Sequence, residues 1–266
     1  MAKIEIKTTL KKSAPNLLLI PGGPGLSPVS FDAMKEYLSD INVYFYYPTG
    51  TYGDKVVSNL SYNHQLSELL TEVEKFEEVY LCGHSFGGIQ VVDVALKSPK
   101  RIKGIICIAT PFSSQSFIEV LNNYKNNKTD EQMTLDKQFD DNPSDEVYRK
   151  WFASYAPLYF AKNNIDCGRK MLLNDSVCVK SNLEAIEEAA QKEHLLAEIK
   201  NSSIKKIFIA GSEDQLLPAK ILKIDSEMGN FPFQEIKQAG HFVHFDRPKE
   251  TANIIKSFIN NRGGIL

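Results

Sequence analysis

The sequence predicts an α/β fold, a mostly parallel, doubly wound sheet with a helical segment inserted near its middle. Two observations carry this expectation. Short apolar runs alternate with helical stretches at both ends of the 266-residue chain, and a serine stands between glycines where one such run meets the helix after it. A hydrophobic content of 42% supports one sizeable core.

Taken in order, Leu17-Leu18-Leu19-Ile20, Val43-Tyr44-Phe45-Tyr46-Tyr47, Val79-Tyr80-Leu81-Cys82 and residues 104–109 read as buried strands. Helical patterns over residues 31–38, 62–76 and 85–96 separate them. Lys206-Ile207-Phe208-Ile209-Ala210 and Phe233-Gln234-Glu235-Ile236 are two further strands, with helices over 219–227 and 248–260. Between them the strand signal fades, and amphipathic stretches over 145–160 and 182–199 take over. The division expected is a core of residues 1–111 and 204–266 with a helical cap of residues 112–203. The Asn and Lys cluster at 122–128 reads as a surface loop.

A net charge of −2 leaves no basic footprint, so nucleic acid and anionic membrane surfaces are not expected partners. The first twenty residues begin Met1-Ala2-Lys3-Ile4-Glu5 and include Lys7, Lys11 and Lys12; they lack the apolar core of a signal peptide. No run is long enough to span a bilayer, and a cytoplasmic location is the expectation. Of the four cysteines, Cys82 and Cys107 lie in apolar runs and Cys167 and Cys178 in a polar one, which reads as free thiols of a reducing compartment.

The chemistry centres on Gly83-His84-Ser85-Phe86-Gly87-Gly88. Placing a serine between strand and helix, with Gly83 and Gly87 two positions either side, forms a nucleophile elbow that presents the hydroxyl above the sheet. A base and an orienting acid must follow. His241, in Ala239-Gly240-His241-Phe242, is the expected base, because it follows a strand and precedes a helix starting at Pro248. His64 and His194 fall within predicted helices, His84 is directed into the protein, and His244 reads as a supporting group. Gly211-Ser212-Glu213-Asp214-Gln215 supplies the acid, with Asp214 preferred over Glu213 and Asp246. Ser85 is then the nucleophile, His241 moves its proton, and Asp214 holds the imidazole.

An oxyanion hole needs two backbone N–H groups, one from the residue after the nucleophile, Phe86. The other is expected from Ile20-Pro21-Gly22-Gly23-Pro24-Gly25, with Gly23 first and Gly22 second. Glycines there let backbone approach a reacting oxygen without a side chain in the way.

These motifs together resemble the α/β-hydrolase superfamily over nearly the whole chain apart from the cap. Pro21 to Gly25 is similar to the HGGPG loop of the proline iminopeptidase branch, and Gly83 to Gly88 to its G-x-S-x-G-G elbow. Pro21 stands where that branch has histidine, and Pro48-Thr49-Gly50-Thr51-Tyr52-Gly53 stands where it has Asp-Gln-Arg-Gly. The resemblance implies a carboxylate that meets a substrate's amino terminus, for which Glu184, Glu187 and Glu188 are the candidates, with Glu193 nearby. Each reads equally as part of a solvated helix face.

Three functions are compatible with these residues. The first is a serine hydrolase cleaving a small amide or ester, in its most specific form an iminopeptidase-like aminopeptidase, with a carboxylesterase or lactonase as the close alternative. The second is a triad-bearing binding or signalling protein with slow turnover, and the third a triad enzyme with other chemistry, such as carbon–carbon bond hydrolysis. The expected partner is a small molecule or short peptide, with no cofactor and no metal, since Gly22-Gly23-Pro24-Gly25 has neither a phosphate-loop ending nor a dinucleotide spacing.

Overall fold

A computed structural model describes residues 2–53, 59–126 and 128–260. Met1 and residues 261–266 of the predicted core, and Asn127 of the predicted loop at 122–128, lie outside the described residues.

The chain runs through β1 (Lys3–Ile6), β2 (Asn16–Ile20), α1 (Asp32–Lys35), β3 (Asn42–Tyr47), α2 (Tyr62–Val73), β4 (Val79–His84), α3 (Phe86–Lys97) and β5 (Ile102–Ile108). A wholly helical stretch follows: α4 (Ser114–Asn126), α5 (Asp130–Asp141), α6 (Asp145–Ser154), α7 (Ala156–Tyr159), α8 (Ile165–Leu173), α9 (Val179–Ala189) and α10 (His194–Lys200). The alternation then resumes with β6 (Lys206–Gly211), α11 (Ala219–Met228), β7 (Phe233–Ile236), α12 (Val243–Asp246) and α13 (Pro248–Asn260).

The strands form one seven-stranded sheet in the order β1-β3-β2-β4-β5-β6-β7. Only β1 is antiparallel, pairing Lys3 with Tyr47 and Ile6 with Tyr44. Residues Leu17 to Ile20 of β2 are completely buried, as a strand covered on both faces must be. Side chains alternate along β5. Gly104 faces the Phe258 ring of α13, whereas Cys107 faces Gly88 of α3, so those two helices cover opposite faces.

The sequence reading erred at several boundaries. It overlooked β1, a short edge strand with no buried residue. The expected helix over 145–160 is two helices, because Pro157 lacks the N–H that an uninterrupted helix would use and instead opens α7 near its start. The stretch over 182–199 also breaks, between α9 and α10. The expected surface loop at 122–128 is helical through Asn126, since α4 continues to that point.

Two apolar clusters result. The larger surrounds the sheet and includes Leu195, Leu196 and Ile199 of α10; the smaller joins α6, α7 and α8 to Leu26, Leu216 and Phe242. The boundary between clusters therefore falls inside residues 112–203. Among the described residues, no helix is long and apolar enough to cross a membrane.

Candidate active site

Ser85, Asp214 and His241 each follow a parallel strand, and Gly83 lies in the last residues of β4, at the edge of the sheet where ligands bind in open α/β folds. Ser85 occupies the turn from β4 to α3 with φ 50° and ψ −121°, a left-handed conformation costly for a residue with a side chain. Its N–H donates to the Ile108 carbonyl at 2.8 Å, fastening the turn to β5. The glycines explain how the turn fits. A Cβ on Gly83 would lie 2.3 Å from the Gly87 carbonyl oxygen, and one on Gly87 would lie 2.3 Å from that of Pro21. Phe86 opens α3, so its N–H is among the helix-start donors without an intrahelical partner.

His241 lies between β7 and α12, 3% exposed, with Nδ1 2.8 Å from Asp214 Oδ2. A carboxylate accepts, so Nδ1 carries hydrogen and Nε2 keeps its lone pair. The second oxygen of Asp214 accepts from the Leu217 N–H at 2.8 Å, which fixes the carboxylate plane. Asp246, the alternative acid in the sequence, serves the base loop instead. It accepts from Gly240 N at 2.7 Å, Ala161 N at 2.8 Å and Asn164 Nδ2 at 2.9 Å, and burial raises its carboxyl above the usual range.

Beneath His241 lie two buried imidazoles. His84 Nε2 donates to the His241 carbonyl at 3.1 Å, and His244 Nε2 meets Ser30 Oγ at 2.9 Å. Burial pushes His84 well below the ordinary histidine value, helped by His244 and His241, and takes His244 down to about 3. Among the described residues, no group of three or more His, Cys, Asp or Glu could hold a metal ion.

Ser85, Phe86, Gly23 and His241 open onto one cavity of about 830 Å³. Gly22 is not among its lining residues; a Cβ there would come within 2.8 Å of His84 Nδ1 and 3.2 Å of Ser85 Cβ. Phe117, Val120 and Tyr124 of α4 form one wall, and Trp151 and Phe152 of α6 with Tyr155 just after it another. The aromatic spacing at 148, 151, 152, 155 and 159 was the available signal for this wall, and the sequence reading took it only as amphipathic helix.

The acidic candidates fare differently. Glu184 accepts from Leu60 N at 2.6 Å and pairs with Lys180, and Glu188 pairs with Lys192; neither lines the cavity. Glu187 does line it, in an exposed position. Glu193 instead accepts from the backbone N–H and hydroxyl of Ser114 at the start of α4, bonds that hold its carboxyl below the usual range. The carboxylate missed by the sequence reading is Asp136, which lines the cavity and accepts from Trp151 Nε1 at 2.7 Å while pairing with Lys128.

This combination of sheet and elbow is matched by a family described as alpha/beta hydrolase fold over residues 15–248, and the chain belongs to that family. Among individual proteins, it is similar to Methylesterase 3 of Arabidopsis thaliana, 23% identical over 75% of this chain and 76% of that protein. It is also similar to polyneuridine aldehyde esterase of Rauvolfia serpentina, 24% identical over 76% of this chain and 77% of that protein. Among solved structures, a thermophilic esterase from Thermogutta terrifontis superposes with a TM-score of 0.74 at 17% identity, covering 97% of this chain and 92% of the other, a likeness of fold.

Proposed function

We propose that the protein is a serine carboxylesterase acting on esters of apolar, ring-bearing acids. The observation that carries this reading is His241, paired with the buried Asp214, opening with Ser85 onto an aromatic-walled cavity. The esterase names of the similar proteins agree with it. His241 Nε2 takes the Ser85 proton as the hydroxyl oxygen attacks the ester carbonyl, and Asp214 stabilises the resulting imidazolium. The oxyanion that forms is held by the N–H groups of Phe86 and Gly23. Collapse expels the alcohol, which receives the proton from His241, and leaves an acyl-Ser85 ester. Water, deprotonated by the same imidazole, then releases the acid. Residues 112–203 act as the cap over this site and supply the wall that chooses the acyl group.

The aminopeptidase form lacks comparable support. It needs a carboxylate desolvated beside the substrate's ammonium; Glu184 and Glu188 are engaged outside the cavity, Glu187 is exposed, and Asp136, which does line the cavity, is already paired with Lys128 and Trp151. Fluorophosphonate labelling of Ser85, followed by rates on aryl and alkyl esters and on prolyl anilides, tests the proposal. We expect labelling and ester turnover. A folded protein that neither labels nor cleaves esters would point to the binding-protein alternative. Anilide turnover that outpaces the esters and vanishes on N-acetylation would restore the aminopeptidase.

A further inference from the structure

The loop from Gly22 to Ser27 carries Gly23, and its position is set from the helical segment as well as from the sheet. Three contacts hold it there. Tyr148 of α6, completely buried, donates its hydroxyl to the Pro24 carbonyl at 2.7 Å. The Cys178 N–H, just before α9, donates to the Gly25 carbonyl at 2.8 Å, and the Cys178 carbonyl presses so closely that a Cβ on Gly25 would lie 2.2 Å from its oxygen. Ser27 donates its hydroxyl to the buried carboxyl of Asp175. Pro24, Gly25 and Ser27, which follow Gly23 in the loop, are therefore tied to the segment that also walls the cavity, since Trp151 and Phe152 share α6 with Tyr148 and Tyr155 comes directly after it.

The geometry points to Tyr148, with Asp175 and Ser27 behind it, as the positioning residue of the oxyanion hole: the cap fixes the Gly23 N–H relative to Ser85. This inference rests on the esterase reading above. Its physical basis is that a donor stabilises the developing oxyanion only when held in place before the reaction, and misplacement of about 1 Å can cost ~10² in rate. The carbonyl of Pro24 and the N–H of Gly23 belong to neighbouring residues of one short loop, so releasing one frees the other. Because the Tyr148 ring packs against Trp151 and Phe152, removing its hydroxyl alone releases the loop and leaves the acyl wall in place.

The test uses the full-length protein with p-nitrophenyl acetate as substrate and a trifluoromethyl ketone as inhibitor, whose adduct with Ser85 carries the oxyanion. Tyr148→Phe keeps the ring and removes only the hydroxyl. The expected result is kcat lowered about tenfold with KM within a factor of about two, and inhibitor binding weakened by a similar factor. Ser27→Ala releases the same loop from its other end and should give the same pattern if Tyr148→Phe fails to fold. Unchanged kcat and inhibitor affinity in folded variants would overturn the assignment, as would a rise in KM at constant kcat, which marks a residue that only shapes the cavity. Wild-type protein that does not label with fluorophosphonate would instead overturn the esterase reading itself, so the two failures are distinct.

Discussion

In the proposed mechanism His241 gains a proton, and the residues packed beneath it, His84 and His244, are two that resist gaining one. The His84 ring centroid lies 5.0 Å from that of His241 and 4.8 Å from that of His244. Their neutrality spares the forming imidazolium a like charge. It also makes folding acid-labile. Because the folded value of His244 is about 3 against an ordinary 6.5, the unfolded chain binds its proton first as pH falls. The stability that His244 supports is therefore complete above about 6.5 and is lost on the way down, at about 1.4 kcal/mol per pH unit. Asp175, raised to about 7 by burial, acts in the opposite sense, losing stability as pH rises from about 4 to 7. His244→Gln retains a donor for Ser30 without titrating, so it should reduce the loss between pH 7 and 5 by roughly 2 kcal/mol in urea unfolding. Equal slopes in both proteins would rule out His244 as the source. For the proposed triad, Ser85→Ala and Asp214→Asn should each lower kcat on an aryl ester by at least ~10³ while thermal unfolding shows the fold retained, since the residues act as a unit. A mild effect of Asp214→Asn would remove it from the acid's role.

At the scale of elements, the elbow depends on how closely β4 and α3 approach. The Gly83 position faces backbone of Gly87 and Gly88 at 2.3 to 2.5 Å, where no flexible side chain can yield. Gly83→Ala should therefore destabilise by about 3 kcal/mol or prevent folding, measured by denaturant titration; a near-neutral substitution would show that the strand and helix can separate. The same closeness explains what the sequence disclosed. A glycine–serine turn between an apolar run and a helix is a local arrangement, so the Ser85 turn was legible from its own neighbours, whereas Asp214 and His241 were read from loops that follow predicted strands, and the structure brings those two within 2.8 Å. The buried parallel strands were visible because their runs are apolar on both faces, as at Leu17 to Ile20. β1 was not, since its four residues bury nothing fully. The cavity wall was also hidden. Which side of α9 meets the cavity depends on its packing against α2, so Glu184, Glu187 and Glu188 were equivalent in sequence although only Glu187 borders the cavity.

At the scale of the molecule, the sheet carries the proposed reactive groups at its edge, and helices between β5 and β6 line the cavity beside them. A cavity of about 830 Å³ far exceeds the needs of an acetate ester, and a larger acyl group would fill more of it. Displacing water from an apolar wall favours binding in proportion to the area covered, roughly 25 cal/mol per Å². Larger ring-bearing acids should therefore gain kcat/KM over acetate, and the gain should reside in the wall and not in the triad. Ile186 lines the cavity from α9 and is only partly buried, so a larger side chain there enters the cavity without invading the core. Ile186→Trp should lower kcat/KM for a naphthoate or phenylbutyrate ester by about tenfold or more and leave p-nitrophenyl acetate within about twofold. Matched losses on large and small esters would mean that the substitution disturbs the reactive groups themselves. No loss on either would place the acyl group along another wall, with the aromatics Trp151 and Tyr155 the next to vary.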